Sequence, residues 1–507
     1  MGMADSSVIS VLWTAVSIFL ISSVATLVYR VFYNLYLHPL SHVPGPKLAA
    51  ASYLYQTYHS LHGGKSRYYL KIAEMHKKYG SVVRVTPDEV QLSDPEDYDT
   101  LHSIKTRYPK YAPTYSALGA GYSTFTSGPN AVHKPRRARL DPFFSRRKVL
   151  SLESLVQHRA QRLLSIIKTR FARNEEVDLH HAFRSISVDV ITDYAFGGSY
   201  ELLERPDLGK EFFDLTNGIG PSWWVFQQWP LIQKFALSLP DELAMAMDDS
   251  LKHILTLMQQ SRKQVLAVQA KLDMGEKVDQ GGIFETLLTT SEGYVVPSPD
   301  QLKEESYALL NAASDTTGNA MTVAAYNVVK NPGIYSRLHA ELTDAFPDKQ
   351  KELDFLTLEK LPYLTGVIRE GLRLSYPVPG RLPRIVQEPG FTTHNIFLPP
   401  GSIASSSMYM MHRNEDYFPD PTKFSPERWL DPVESRRLEK SFVPFSRGPR
   451  SCAGINLAYC EVYFTIGTLF RTFSNLKGND LLQEDLLYND YFSAQNPIDS
   501  TKFHVLL

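Results

Sequence analysis

The first strong pattern in the chain is an uncharged, apolar run near its N-terminus. From Val8 to Tyr29 the sequence has no charged residue over 22 positions. At the rise of an α-helix, that length crosses a hydrocarbon core of about 30 Å. The pattern predicts a retained membrane-spanning helix within an anchor of residues 1–34. The alternative is a cleaved signal peptide, but its apolar region is usually about 7 to 15 residues and ends at a small-residue site that is not evident here.

The stretch after the anchor breaks the helical pattern. Val43-Pro44-Gly45-Pro46 is stiff and non-helical, which predicts a connector at 35–50 and a globular domain at 51–507. Between Ser81 and Leu92, apolar and polar residues alternate on both sides of a turn at Thr86-Pro87-Asp88-Glu89. This alternation predicts two short strands and a small sheet.

Helical periodicity dominates the remainder of the chain. A stretch that opens near Pro299 runs without an internal breaker to Lys330 and stops at Asn331-Pro332-Gly333. A helix of that length is about 45 Å long, enough to cross a whole domain. A second clear helix is predicted from Leu361 to Leu374, and the predicted fold is mainly α with small β-sheets.

An aromatic cluster interrupts the helical pattern in the middle of the chain. It consists of Trp223, Trp224, Phe226 and Trp229. Packing in the core or at a membrane interface accounts for such a cluster as well as a role in a substrate entrance does.

Composition narrows the class of protein. The 507 residues include 53 Lys and Arg against 54 Asp and Glu, so no global charge favours nucleic acid as a partner. The only cysteines are Cys452 and Cys460, which excludes a disulfide framework and favours a reducing compartment. Arg30, directly after the apolar run, places the large domain on the cytoplasmic side.

Candidate chemistry is concentrated at Cys452. The segment Phe445 to Gly454 places this cysteine between two glycines and beside Arg450, just before a helical pattern. A thiolate at a helix N-terminus is stabilised by the N–H groups there, so this cysteine is expected to deprotonate easily, as a metal ligand must. The alternative is an inert cysteine in a turn, which is what most lone cysteines are.

A second candidate site lies in the long helix. Asp315 and Thr316 follow a run of small residues at mid-helix. Both have poor helix propensity because their side chains compete for backbone groups. At the middle of a helix that crosses the domain, they are expected to lie beside a site.

The Cys452 segment resembles the haem-binding loop of the cytochrome P-450 superfamily. The resemblance implies a cytochrome P-450 fold behind the anchor, with haem b as cofactor and Cys452 as the axial thiolate of its iron. It also implies that Arg450 binds a haem propionate and that Phe445 packs near the sulfur. Asp315 and Thr316 resemble the family's acid-alcohol pair, which relays protons to bound dioxygen.

Three further motifs carry the resemblance. His133 to Arg137 resembles the family's Trp-x-x-x-Arg segment with His133 in place of tryptophan, so Arg137 is implied to pair with a propionate and His133 to donate a second hydrogen bond. Arg384 is preferred over Arg381 as a further propionate ligand. Glu370-Gly371-Leu372-Arg373 and Pro426-Glu427-Arg428-Trp429 resemble the segments whose side chains brace the haem loop.

The resemblance implies a haem-thiolate monooxygenase. No flavin or nicotinamide motif is visible, so electrons are expected from a separate NADPH-cytochrome P-450 reductase, with cytochrome b5 as a second donor. The expected location is the endoplasmic reticulum membrane, as a single-pass protein with a cytoplasmic catalytic domain. Three alternatives remain open: an isomerase or peroxide-using relative, against which Asp315 and Thr316 argue, a non-catalytic haem carrier, and a haem-free scaffold.

The substrate class follows from motifs that look like filamentous-fungal members of the superfamily: Leu37-His38-Pro39-Leu40, Lys78-Tyr79-Gly80 and Phe418-Pro419-Asp420-Pro421. Among these members, the N-terminal third of the chain is similar to the trichodiene oxygenase group. Residues at positions where the family lines its pocket are apolar or aromatic: Tyr111, Tyr115, Tyr122, Phe125, Leu309, Ala312, Val378, Tyr491 and Phe492. They favour an apolar small-molecule substrate, a terpenoid of secondary metabolism first, with polyketide and indole-derived skeletons as alternatives.

A basic docking face for the reductase is a further expectation. Its candidates flank the haem motifs in the sequence: Arg136, Arg139, Arg146, Arg147, Arg436, Arg437 and Arg447.

Overall fold

The structure is a computed structural model of the chain that describes residues 4–62, 65–276, 282–290, 294–348, 351–497 and 499–507. The first three residues of the predicted anchor, and parts of the predicted domain 51–507, therefore lie outside the described residues. The described chain is mainly helical with small sheets, as predicted from the sequence.

The helices follow in chain order. The first half of the chain contains α1 Ala4–Phe32, α2 Lys47–Ala51, α3 Leu54–Leu61, α4 Tyr68–Tyr79, α5 Pro95–His102, α6 Ala112–Ser116, α7 Asn130–Leu140, α8 Arg146–Leu150, α9 Glu153–Phe171, α10 Leu179–Phe196, α11 Lys210–Asn217, α12 Gly220–Gln228, α13 Pro230–Ala236 and α14 Asp241–Met247. The second half contains α15 Asp249–Asp273, α16 Ile283–Leu288, α17 Pro299–Lys330, α18 Pro332–Ala345, α19 Phe355–Leu358, α20 Pro362–Ser375, α21 Met408–His412, α22 Pro432–Leu438 and α23 Ile455–Thr472.

The strands form small sheets around this helical body. They are β1 Val82–Arg84, β2 Glu89–Leu92, β3 Val177–Asp178, β4 Arg384–Ile385, β5 Phe391–Thr393, β6 Ile396–Leu398, β7 Ile403–Ser405, β8 Lys477–Gly478, β9 Asn489–Tyr491, β10 Ser493–Gln495 and β11 His504–Leu506. One sheet has the order β1-β2-β7-β4, in which β1 and β2 pair antiparallel and β7 runs parallel to β2. The two strands predicted between residues 81 and 92 are confirmed.

The N-terminal helix stands apart from the helical body. Ser10–Leu37, which continues α1 through a π-helical turn at Tyr33–Leu37, is long and apolar enough to cross a membrane. Its side chains are largely exposed, because no described part of the chain packs around them. The helix therefore has the form of the predicted anchor.

The segment after the anchor is packed onto the first sheet. Leu40 and Val43 are buried against residues of β1 and β2, and the Arg84 N–H donates to the Pro44 carbonyl at 2.8 Å. A Cβ atom at Gly45 would lie 2.5 Å from the Arg84 oxygen, so only glycine allows this approach. The predicted connector 35–50 thus fixes where the anchor leaves the domain.

The long helix α17 is the central element of the fold. It begins at a capping box, in which Ser298 and Gln301 each accept a hydrogen bond from the other's backbone N–H. Pro299 occupies its first position, where a missing N–H costs nothing. The helix packs against α10, α15 and α20, and α23 crosses it after the Cys452 loop. Both predicted long helices, α17 and α20, are confirmed.

Candidate active site

A cavity of about 340 Å³ lies between α17 and the loop that precedes α23. Cys452 and the arginines line one part of it, and residues of α17, α12 and the β9–β10 turn line the rest. The sequence-predicted candidates that reach this cavity are Cys452, Arg450, Phe445, Arg137, His133, Arg384 and Thr316. Asp315 is the exception, and its position is described below.

The Cys452 loop is held by its own backbone. The Cys452 N–H donates to the Phe445 carbonyl at 2.9 Å, and the Phe445 ring packs on Tyr459 one turn into α23. Gly448 has a φ of +69° and lies so close to the His102 carbonyl that a Cβ atom would be 1.7 Å from its oxygen. Both conditions require glycine. The loop therefore presents the cysteine side chain to the cavity in one arrangement.

The Cys452 thiol does not deprotonate as easily as the sequence suggests. The side chain is open to the cavity, but protein surrounds that cavity, and burial raises the pKa of the thiol. A hydrogen bond from the Gly454 backbone and the charge of Arg137 oppose this shift only in part. In the protein alone, burial therefore outweighs the Gly454 hydrogen bond and the charge of Arg137, and a bound cation would favour the thiolate.

Buried basic side chains surround one end of the cavity. Arg450 donates to the carbonyls of Ser127 and Gly128 at 2.6 and 2.7 Å. Arg384 donates to the Tyr115 hydroxyl at 2.6 Å, and Arg137 donates to the Ser451 carbonyl at 2.7 Å. The Arg137 guanidinium also pairs with Asp141. The preference for Arg384 over Arg381 agrees with these positions, because Arg381 is paired with buried Glu89 outside the cavity.

Lys110 belongs to the same basic group but is not apparent from the sequence. Its Nζ donates to the Phe125 carbonyl at 2.6 Å and lies over the rings of Tyr115 and Phe125. Burial and the charges of Arg384 and Arg450 hold its pKa well below the usual range. Burial, then Arg450 and Lys110, lower the pKa of His133 to about 3, so His133 is neutral at physiological pH.

The acid and the alcohol of α17 point in different directions. Thr316 lines the cavity, and its hydroxyl donates to the Ala312 carbonyl at 2.9 Å. Asp315 is buried outside the cavity wall, where its carboxylate pairs with Arg184 of α10. The Ser493 hydroxyl, which does line the cavity, lies 3.4 Å from Asp315 Oδ2. The structure therefore places Thr316 at the cavity, whereas the Ser493 side chain lies between Asp315 and the cavity.

A buried ion network connects α20 to the segment before α22. Arg373 donates two hydrogen bonds to Glu370 at 2.8 and 2.7 Å, and neither side chain is exposed. The Arg428 Nε lies 3.4 Å from Glu370, and the Trp429 indole donates to the same carboxylate at 3.0 Å. Arg373 also donates to the carbonyls of His412, Pro421 and Lys423. This is the predicted bracing network.

The apolar lining agrees with the sequence except at two tyrosines. Tyr115, Phe125, Leu309, Ala312, Val378, Tyr491 and Phe492 line the cavity. Tyr111 and Tyr122 do not. Tyr111 directly precedes α6 and lies near Asp88 and Glu89, and the Tyr122 ring packs against Arg136 outside the cavity. Trp223 lines the cavity as well, and its ring packs on Phe492, whereas Trp229 is 41% exposed.

The predicted basic docking face is smaller than the sequence suggests. Arg146, Arg437 and Arg447 pair with Glu359, Glu434 and Asp99, and Arg136 and Arg139 lie over the rings of Tyr122 and Tyr294. Arg147 and Arg436 are exposed and form no ion pair within the described residues. Arg147 lies on α8, which packs against α23 beside the Cys452 loop.

Comparison with known proteins identifies the family. Residues 46–487 match the family model described as Cytochrome P450. The chain is 34% identical over 471 residues to a cytochrome P450 monooxygenase of Cochliobolus heterostrophus, covering 91% of this chain and 89% of the relative. It is 32% identical to a tryptophan 6-hydroxylase of Fusarium equiseti, with 93% of each chain covered. It is 33% identical to a conidiogenone synthase of Penicillium rubens, covering 87% of this chain and 89% of that protein.

Proposed function

This chain belongs to the cytochrome P450 family, and we propose that it inserts oxygen from dioxygen into an apolar natural-product intermediate, with a terpenoid as the favoured class. It is a haem-thiolate monooxygenase of the kind found in fungal secondary metabolism. Members of the family hold a haem iron through a cysteine thiolate and use a separate redox partner. The observation that carries the proposal is the apolar cavity with Cys452 at one end and Thr316 in its wall.

The residues of the cavity fit haem b, which carries two propionates on a flat apolar ring. Burial and the charge of Arg384 lower the pKa of both Lys110 and Arg450, so the three cations lie close together, and within the described residues none of them pairs with a carboxylate. The Nε of Arg450 is buried without a hydrogen-bond partner. Two propionates would neutralise this uncompensated positive charge.

The proposed ligand set uses these positions directly. Cys452 holds the iron through its sulfur, and Phe445 packs beside it. Arg450, Arg137 and Arg384 pair with the propionates, and neutral His133 donates a hydrogen bond to one of them. We also propose the predicted domain division, with an anchor at 1–34 and a catalytic domain at 51–507 that contains these positions.

The chain's own residues supply protons and exclude water. A bound haem iron would supply the binding and activation of dioxygen. Thr316 Oγ1 holds a proton at the cavity wall, which it can present by rotating away from the Ala312 carbonyl. Asp315 lies behind the cavity wall and supplies a new proton through the Ser493 hydroxyl, which is 3.4 Å from Asp315 Oδ2. The aromatic rings around the cavity keep bulk water from the same space.

The apolar lining supports the substrate class. Tyr115, Phe125 and Phe492 pack edge to face, with ring centroids 5.1 to 5.8 Å apart. Such a surface binds a hydrocarbon skeleton by burying apolar area, and it offers few polar groups that fix orientation. An indole-derived substrate is the second candidate, because flat aromatic rings suit the same lining and a tryptophan 6-hydroxylase is among the relatives.

The exposed apolar residues support attachment to a membrane, which we propose to be that of the endoplasmic reticulum, with the domain on the cytoplasmic side. Leu231, Ile232 and Phe235 on α13, and Leu48 and Leu54 near the anchor, are exposed. Helix α3, which begins at Leu54, is joined to α12, which precedes α13, by hydrogen bonds of Gln56 and Thr57 to Gln227 and Gln228. The two groups therefore extend one membrane-facing surface next to α1. Protease added to intact microsomes should digest the domain, and protection would contradict this orientation.

A turnover assay with a panel of scaffolds tests the proposed function. The haem-loaded protein is combined with NADPH-cytochrome P-450 reductase, with or without cytochrome b5, and offered terpenoid, polyketide and indole-derived compounds. We expect a substrate-induced spin-state shift and a product heavier by one oxygen with a terpenoid. Binding only to small polar aromatics would contradict the proposal, and the Cys452→Ser protein is the inactive control.

A further inference from the structure

The mostly apolar lining of the cavity contains two carboxyl groups, one of which belongs to Glu305 of α17. Glu305 and Glu461 are the acids among the residues that line the cavity. Burial raises the pKa of Glu461 to about 8, so it is neutral at pH 7, whereas burial raises the pKa of Glu305 only to about 6. Glu305 is therefore the ionised acid in this lining, although it is only 5% exposed.

Glu305 uses one of its two oxygens within the protein. Its Oε2 accepts hydrogen bonds from the backbone N–H and the hydroxyl of Thr124, at 2.7 and 2.9 Å. No hydrogen bond from the described residues reaches Oε1, and this oxygen is not sealed from solvent-accessible space. Glu305 forms no ion pair within the same residues, because the nearest cation, Arg136, donates to Tyr122 and Ser127 instead. A buried carboxylate oxygen without a hydrogen-bond partner is expected to bind a hydrogen-bond donor that enters the cavity.

Glu305 also lies on the same face of α17 as the proposed reaction site. It precedes Thr316 by eleven positions, which is close to three full turns, and Leu309 and Ala312 lie between them on that face. At the helical rise, the two residues are about 16 Å apart along the axis. The main chain of a linear C15 isoprenoid, about twelve carbons with a terminal oxygen or nitrogen, covers most of that distance when extended.

We propose that Glu305 is a specificity-determining residue that accepts a hydrogen bond from a donor group, a hydroxyl or an amine, at one end of an otherwise apolar substrate. The other end of the substrate then lies near Thr316 and Cys452. The inference rests on the proposed function, to which it adds a polar anchor and a direction of binding. Thr124 is the positioning residue, since it fixes the Glu305 carboxylate through Oε2.

A matched series of C15 isoprenoids tests the inference on the haem-loaded full-length protein. The probes are farnesene, farnesol, farnesyl methyl ether and farnesylamine, titrated at pH 7.5 by spin-state shift and by calorimetry. Farnesol and farnesylamine can donate to Glu305, whereas the ether and the hydrocarbon cannot. We expect the donors to bind about tenfold more tightly than the ether, as one hydrogen bond to a charged group permits. The tighter of the two donors shows whether the anchor takes a neutral hydroxyl or an ammonium group.

Glu305→Gln and Glu304→Gln form a matched pair of variants. In Glu305→Gln the amide oxygen takes the two Thr124 bonds, which leaves the NH2 group toward the cavity, so the preference for donors over the ether should fall about tenfold. Glu304 accepts from the Tyr122 N–H at 2.6 Å and does not line the cavity. Glu304→Gln should therefore keep the preference of the wild-type protein.

The outcomes separate this inference from the proposed function. If farnesene binds but the wild-type protein does not distinguish farnesol from its ether, the Glu305 inference is wrong and the apolar cavity stands. If Glu305→Gln keeps the full preference, another group is the anchor, and the inference is wrong. If no probe binds to protein with a normal carbonyl spectrum, the terpenoid proposal and this inference both fail. The comparison of farnesol with its methyl ether on the wild-type protein tests the inference even if a variant loses haem.

Discussion

The carboxylate of Asp315 is paired with the guanidinium of Arg184, and both side chains are buried. Thr316, the next residue of α17, lines the cavity. Consecutive residues of an α-helix differ by about 100° in direction, and here Asp315 turns toward Arg184 of α10 while Thr316 turns toward the cavity. We therefore expect the pair to act in series, with the alcohol at the cavity and the acid behind it.

This arrangement predicts different effects for the two residues. Thr316→Ala removes the hydroxyl at the cavity wall and should divert electrons from product to hydrogen peroxide, while haem and substrate still bind. Asp315→Asn should slow turnover and leave Arg184 as a buried charge without its partner, so some loss of stability is also expected. The measurements are peroxide released and product formed per NADPH consumed.

Ser493→Ala separates the route from the ion pair, since it removes the linking hydroxyl and keeps Asp315 paired with Arg184. We expect slower turnover with unchanged melting temperature. Fully coupled turnover in Thr316→Ala and Ser493→Ala would place the proton route elsewhere.

Replacing Cys452 should abolish the thiolate spectrum. Cys452→Ser offers an alcohol in place of the thiol, so the Soret shift of the reduced carbonyl complex that is typical of a thiolate should disappear. Cys460 is buried in the core eight residues later and lies outside the cavity lining, so Cys460→Ala is the control and should keep the spectrum. A normal carbonyl spectrum in Cys452→Ser would exclude it as the ligand.

Arg384 is expected to stabilise haem binding. Arg384→Gln keeps a hydrogen-bond donor near Tyr115 but removes a charge from the basic group, so haem should dissociate about tenfold faster, as loss of a charged hydrogen bond implies. Haem transfer to apomyoglobin measures the rate. Arg436→Gln, at an exposed position, should leave it unchanged. Equal rates in both variants would remove Arg384 from the proposed ligand set.

The Glu370–Arg373 pair is expected to be essential for folding. Glu370→Gln leaves the Arg373 charge buried, which typically costs about 3–5 kcal/mol of stability. The yield of haem-bound protein and its resistance to urea should both drop strongly. The exposed pair of Arg146 and Glu359 is the comparison, because Glu359→Gln should cost about 1 kcal/mol or less. Similar behaviour of both variants would contradict a bracing role.

Electron transfer should depend on Arg147. Arg147→Glu reverses an exposed charge on α8, beside the Cys452 loop, and should slow reduction by the reductase most at low salt, where screening is weakest. Lys252→Glu on α15 makes the same charge change on another helix and should have little effect. Stopped-flow reduction at several salt concentrations measures both. A rate in Arg147→Glu that matches wild type at every salt concentration would place docking elsewhere.

The sequence predicts the elements whose cause is local. The apolar run of α1, the start and end of α17 and the alternation at β1 and β2 depend on residues close in the chain, so the sequence predicts them without tertiary contacts. The Cys452 loop can also be predicted from local sequence, because Gly448 and Gly454 mark a tight turn before a helix. The Glu370–Arg373 spacing also places both side chains on one helix face.

The tertiary structure alone decides which charges meet and which side chains reach the cavity. Lys110, Arg384 and Arg450 are far apart in the sequence, and only folding brings them together. Arg184 belongs to α10, so no local pattern shows that its ion pair with Asp315 turns that carboxylate away from the cavity. The pKa of Cys452 likewise depends on burial by distant segments, which outweighs the local hydrogen bond from the Gly454 backbone. Local sequence sets the direction of a side chain from its own backbone, but its surroundings are set by residues that only the fold makes neighbours.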